Sequence, residues 1–206
     1  METASGLWGR IKRTVWETKV HSEIEIAKNV EGVREKFLQF DLIPQYHSGF
    51  ILSLTPMPLG KTGAELVPGD RMHNKLGGIV ARPTILENSP TAFRWRGPWP
   101  YTYLNLLCGW HTFKFEPSKT NPGHTLFTHE ETFTGPLAWV MGLETPNRKT
   151  LVKFYKYNTD FRAWVEEGVM NGESANAEDG EDMSDHVGES LSKDKPVPLI
   201  TIKEVK

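Results

Sequence analysis

Residues 145–168, TPNRKTLVKFYKYNTDFRAWVEEG, read as one long helix, and six β-like segments precede them. Thr145 has the chemistry of a cap, Pro146 suits a first helical position, and Gly168 suits a terminator. Leu151, Phe154, Tyr155, Phe161, Trp164 and Val165 form an aromatic-rich stripe along it. At the rise of an α-helix this element is about 30 Å long, enough to cross a whole sheet. A chain that ends a run of strands with such a helix must lay the apolar stripe on the sheet.

The β-like segments are GFILSLTP (49–56), DRMHNKLG (70–77), IVARPTILEN (79–88), AFRWRG (92–97), LLCGWHTFKFEP (106–117) and HTLFTHEETFTG (124–135). Pro-Gly-Asp, Gly-Gly, Asn-Ser-Pro and Asn-Pro-Gly turns separate several of them. Connections this short imply an antiparallel meander. Ahead of it, VHSEIEI alternates as a first strand, with Val20, Ser22, Ile24 and Ile26 on one face. Asn29 then caps a helix with Val30, Val33, Phe37 and Phe40 on its apolar face, and DLIPQYH forms a second short helical turn. The predicted fold is α+β: a bent antiparallel sheet of about seven strands wrapped on a long C-terminal helix, with two short helices after the first strand.

Several phrases carry a resemblance to a known family. EIEIAKNVEGVREKFLQFDLIPQYHSGF is similar to an opening strand–helix–helix in which Pro44 and Tyr46 match, and GDRMHNKLG resembles the third strand of that family. In PTILENSPTAFRWRG the positions Ile85, Glu87, Pro90, Phe93 and Trp95 match, and GWHTFKFEP followed by HTLFTHEETFTG resembles the closing strand pair. Across residues 20–167 the chain resembles the SRPBCC superfamily of helix-grip proteins, which includes START lipid-transfer domains, pollen-allergen-like proteins and polyketide cyclase/dehydratase-type proteins. The resemblance implies a cavity for a ligand. It leaves activity open, because members range from carriers to enzymes.

Outside that region, residues 1–16 read as an N-terminal arm. Leu7, Trp8, Ile11, Val15 and Trp16 stand at near-helical spacing among Arg10, Lys12 and Arg13. Packing on the domain and contact with a membrane surface are the two readings of this arm. Residues 17–168 form the ligand-binding domain, and 169–206 an acidic tail with a short β-like end. Eight acidic residues stand against Lys193 between Asn171 and Asp194, and the rest of the chain holds 23 basic and 18 acidic residues. That excess is too diffuse for a nucleic-acid track. The single cysteine, Cys108, excludes an internal disulfide and fits a reducing compartment. With no secretory signal pattern and no spanning run, the expected location is cytoplasmic.

Alternation along HTLFTHEETFTG puts Phe127, His129, Glu131 and Phe133 on the inner face and Thr128, Glu130 and Thr132 outside. On the preceding strand His111, Phe113 and Phe115 point in, and on AFRWRG Phe93 and Trp95 do. A turn centred near residue 120 would set His111 opposite His129 and Phe113 opposite Phe127. Burying such groups is costly unless they pair. Three readings stay open for His111, His129 and Glu131: a paired plug of the cavity, an anchor for a ligand's polar end, or an acid–base set in which Glu131 tunes a histidine. A metal held by these three is admissible by residue type, but the resemblance suggests none.

Phe37, Trp95, Phe113, Phe127, Phe133 and Phe154 are the expected ligand-lining aromatics, with His47 at the mouth and Tyr103 as a ligand contact or cap. There is no phosphate-cradling glycine loop, no G-x-S-x-G, no paired cysteine set and no H-E-x-x-H, so no cofactor is expected. The leading expectation is a binder of a hydrophobic small molecule such as a lipid, polyketide or terpenoid-like metabolite. The alternative is a cofactor-independent cyclase, dehydratase or isomerase of secondary metabolism. An interaction module working through the acidic tail is a third class.

Overall fold

In the computed structural model, which describes residues 17–98 and 106–168, the first strand β1 (Glu17–Ile26) leads into α1 (Val30–Phe37). The Asn29 side chain accepts the Gly32 amide, as a capping asparagine should. A single 3-10 turn (Phe40–Leu42) and α2 (Ile43–Tyr46) follow, with Pro44 in the first turn where its missing N–H is not needed. Then come β2 (Ile51–Met57), β3 (Arg71–Leu76), β4 (Ile79–Ala81), β5 (Thr84–Asn88), β6 (Ala92–Pro98), β7 (Cys108–Pro117) and β8 (Thr125–Thr134). The chain closes with α3 (Ala138–Met141) and α4 (Glu144–Glu167).

All pairings are antiparallel, in the order β1-β8-β7-β6-β5-β3-β2, with β4 pairing β3. The sheet curls into a half-barrel that grips α4. Residues 79–88, expected as one strand, are two. Pro83 interrupts the ladder, since it has no N–H to donate. The long helix starts two residues earlier than its sequence suggests, with Leu143 rather than Thr145 at the cap position. Leu143 is extended and its carbonyl accepts the Asn147 amide, so Thr145 lies inside the first turn. Gly168 ends it in the left-handed conformation at φ 70°. The short helix α3 was not expected from the sequence.

Among the described residues, the polar ties from α4 to the other elements lie in its second half. Tyr157 Oη is 3.4 Å from Tyr46 Oη, Asn158 reaches Ser22 and His129, Asp160 reaches His47, and Glu166 accepts the Ala27 amide. Toward the first half, Phe154 packs on Phe50 and Lys153 lies over the Phe50 ring.

The inner face is filled rather than hollow. Phe37, Phe113, Phe127, Phe133, Phe154 and Phe161 are all fully buried. Phe37 alone makes ring contacts with Phe40, Phe93, Phe113, Phe115, Phe127 and Phe161. The inward positions that were expected to line a ligand chamber carry large aromatics, and these interdigitate across the sheet–helix layer.

Candidate functional site

The hairpin of β7 and β8 pairs His111 with Glu131, Phe113 with His129, and Phe115 with Phe127. The expected pairing was off by two residues, because the turn centres on residue 121. The Ser118 amide donates to the His124 carbonyl, the His124 amide to Asn121, and the Ser118 hydroxyl accepts from Thr120 and Asn121. Glu25 on β1 braces the same turn, accepting from Ser118, Thr120 and Asn121. A slip of two keeps every side chain on its face. The inward set is therefore as expected, and only its neighbours differ.

That shift makes the histidines diagonal neighbours. His111 Nε2 lies 2.7 Å from His129 Nε2. On its other side His129 Nδ1 is 3.1 Å from Asn158 Oδ1, and Asn158 Nδ2 donates to Ser22 Oγ at 3.2 Å. These contacts fix the protons. His129 carries hydrogen on Nδ1, accepts at Nε2 from His111 Nε2–H, and is neutral. Burial, aided by the charge of His111, pushes the pKa of His129 well below the ordinary histidine value. His111 Nδ1 then faces Glu131 Oε2 at 3.6 Å, a charge-pairing distance too long for a direct hydrogen bond.

Each imidazole of this relay is stacked on an aromatic ring, while the two are tilted 50° to one another. His111 stacks on Trp95 at 4.7 Å, and His129 stacks on Phe154 at 3.8 Å. The relay opens on a shallow recess of about 40 Å³ lined by Phe50, Leu76, Ile79, Ala81, Pro83, Trp95, Gly97, Pro98, Gly109 and Glu131. Among the described residues, Glu131 is the one ionisable side chain in that lining. Gly97 and Gly109 are cross-strand partners, and their missing side chains leave the space. A Cβ on Gly109 would stand 2.5 Å from Glu131 Oε1.

Behind the recess wall lies Asn74. Its neighbour Leu76 and its sheet partner Ala81 both line the recess. Asn74 is fully buried, and neither Nδ2 nor Oδ1 has a hydrogen-bond partner among the described residues. An orphaned amide of this kind is rare in folded proteins.

The other expected site residues divide. Trp95 lines the recess and Phe154 stacks on the relay, whereas Phe37, Phe113, Phe127 and Phe133 are interior packing. His47 is not at a mouth. It is buried in the seam between α2 and α4, with Nδ1 2.7 Å from Asp160 Oδ2 and Nε2 accepting the Phe50 amide at 2.8 Å. Both nitrogens are engaged, so its role is to fasten α2 to α4. Tyr103, the N-terminal arm and the acidic tail lie outside the described residues. No group of three or more metal-ligating side chains is assembled among the described residues.

Glu130, Thr128 and Thr112 face outward as expected, yet all three are buried. Lys19 and Lys114 fold over Glu130 at 2.6 and 2.7 Å, and His21 reaches it at 3.2 Å. These donors hold the Glu130 carboxyl well below the usual range despite the opposing effect of burial.

Sequence reasoning passed over Gly97, Gly109, Phe50 and Asn158. Two signals were present: glycines inside strands mark close approach, and Asn158 interrupts an apolar helix face.

No protein-family model and no curated protein matches the chain. Solved structures do. The hypothetical protein jhp0584 from Helicobacter pylori matches with TM-score 0.58 at 15% identity, over 72% of this chain and 88% of that one. Ara h 8.0201 matches with TM-score 0.52 at 12% identity, over 73% and 98%. Norcoclaurine synthase from Thalictrum flavum, in complex with dopamine and hydroxybenzaldehyde, matches with TM-score 0.50 at 12% identity, over 80% and 94%. The chain has the helix-grip fold.

Proposed function

We propose that the protein binds a small hydrophobic molecule at the inner face of its sheet, entering at the recess, with Glu131 and His111 meeting the ligand's polar end. The observation that carries this reading is a carboxylate, Glu131, in the wall of an otherwise apolar recess, with the buried His111 imidazole, stacked on Trp95, 3.6 Å from it. Ionisable groups in such surroundings are expensive to keep and mark functional sites. The orphaned Asn74 amide behind the wall supports the same place. Norcoclaurine synthase, solved with dopamine and hydroxybenzaldehyde, shares the fold.

A ligand larger than the recess has to displace aromatic side chains. The free volume of about 40 Å³ is well under the roughly 300 Å³ of small ligand pockets. A neutral fluorescent naphthylamine tests the reading: saturable binding, weakened by Gly109→Ala, is expected, and non-saturable uptake equal in both proteins overturns it.

A second reading follows from the proton arrangement. His129 is locked neutral, so it can hold the His111 tautomer while Glu131 and His111 move one proton on a bound substrate. Incubating a small-molecule extract of the source cells with wild type and Glu131→Gln separates the two. A mass retained by both with nothing converted means a carrier. A mass consumed by wild type and only retained by the variant means an enzyme.

A further inference from the structure

One end of the sheet collects features that the ligand reading does not use. The recess opens there, at the ends of β3 and β6 and the start of β7. β1 begins at the same end, with Glu17 beside Thr134, and Thr18 lies against Gly142. The Leu137 amide donates to the Leu106 carbonyl at 3.0 Å, which brings the chain entering β7 against the chain leaving β8.

On this corner stand large apolar side chains that the fold leaves in water. Leu106 is 38% exposed, Leu137 37%, Trp139 49% and Leu143 49%. A tryptophan half out of a short helix beside three exposed leucines is an unusual use of a surface. The first half of α4 continues from it. Arg148, Lys149 and Lys153 are exposed there and have no acidic partner among the described residues. Lys153 reaches back over Phe50 at the recess. From residue 144 to 156 the only acidic side chain is Glu144.

We propose that this end is a docking surface for an anionic lipid bilayer, with Trp139 and the leucines entering the headgroup layer and the α4 cations meeting lipid charge. Apolar contact and charge attraction combine in just this way at interfacial sites. Charge complementarity names the partner: the cations have no acidic partner among the described residues, and they follow Trp139 and Leu143 directly along the chain. The surface lies at the same end of the sheet as the recess, and Lys153 reaches its lining residue Phe50, so a hydrophobic ligand would pass between bilayer and protein without crossing water. Residues 1–16, which precede Glu17 at this end, carry Trp8 and Trp16 with Arg10, Lys12 and Arg13 in sequence.

The test is co-sedimentation of the full chain with phosphatidylcholine vesicles, with and without phosphatidylserine. Binding is expected only with phosphatidylserine and is expected to weaken with salt. Reversing Lys149 or Lys153 to Glu should reduce partitioning about fivefold or more each. Trp139→Ser should reduce it about tenfold. Leu59→Ser, at an exposed leucine beyond the opposite end of β2, should change nothing. Unchanged thermal midpoints certify the folded state of each variant.

The proposal is overturned by equal partitioning of wild type and Trp139→Ser, or by binding indifferent to phosphatidylserine. It is also overturned if deleting residues 1–16 abolishes binding while Trp139→Ser does not, which would make the arm the whole membrane element. Loss of a dimer in Trp139→Ser, with no vesicle binding by wild type, would assign the surface to a second copy of the chain.

Discussion

Nε2 of His111 and Nε2 of His129 lie 2.7 Å apart on adjacent strands, two residues out of direct register. The contact survives only because one of the two rings is unprotonated there, and the Asn158 carbonyl oxygen at His129 Nδ1 decides which.

This arrangement has a consequence for acid stability. The folded-state pKa of His129 is depressed below 6.5, so the unfolded chain takes a proton that the native one refuses. Its contribution is fully present above about pH 6.5 and is lost as pH falls below that value. His21 has the opposite sign. Its pKa is raised, chiefly by its bond to Glu130, so its stabilisation is present below 6.5 and fades as pH rises. Its ring is partly exposed and screened, so His129 dominates. The thermal midpoint should fall between about pH 7 and 5 in wild type and fall less in His129→Gln, which is neutral throughout. Parallel slopes would refute this account.

Gly109→Ala and Glu131→Gln should act alike on ligand binding and differ from the wild type in the same direction. The alanine methyl would meet the end of the Glu131 side chain, which can move, so the fold should lose no more than about 1 kcal/mol. Titration of the naphthylamine probe, with unfolding curves alongside, checks both halves.

Asn74→Leu should raise stability while it lowers binding. Removing an orphaned buried amide from an apolar site gains about 1–2 kcal/mol, since no hydrogen bond is given up. Denaturant midpoints and probe affinity moving in opposite directions would mark Asn74 as kept for function rather than for folding.

Gly63→Ala tests packing far from the recess. A Cβ at residue 63 would run into the Leu38 carbonyl and the Phe40 ring, and backbone gives way poorly. A loss of about 2–3 kcal/mol in chemical denaturation is expected. Asn88→Ala should cost a similar amount, about 2–3 kcal/mol. Asn88 accepts from Arg34 at 2.7 Å and donates to the Leu66 carbonyl at 2.8 Å, joining α1, β5 and the loop before β3.

The fold was legible because two periodicities, strand and helix, switch cleanly at known turn chemistry. Alternation alone put Phe127, His129, Glu131 and Phe133 inside. The hairpin register was not legible, because the turn's extra span depends on Glu25, which is about a hundred residues from Ser118 in sequence. The depth of the interior was not legible either. The same inward phenylalanines line a cavity or fill it, depending on how closely α4 lies on the sheet. His47 looked like a rim residue because Asp160, its partner, lies 113 positions away.

The distribution of ties along α4 makes its two halves unequal. From Tyr157 onward directional bonds reach β1, β8 and α2, so any shift of that half breaks several of them at once. The half from Glu144 to Lys156 rests on the sheet through ring faces and a cation, contacts that tolerate sliding. In amide hydrogen exchange the two halves should therefore report separate opening energies. The helix behaves as a lever whose fulcrum is Asn158 and whose loose arm lies over the recess side of the molecule.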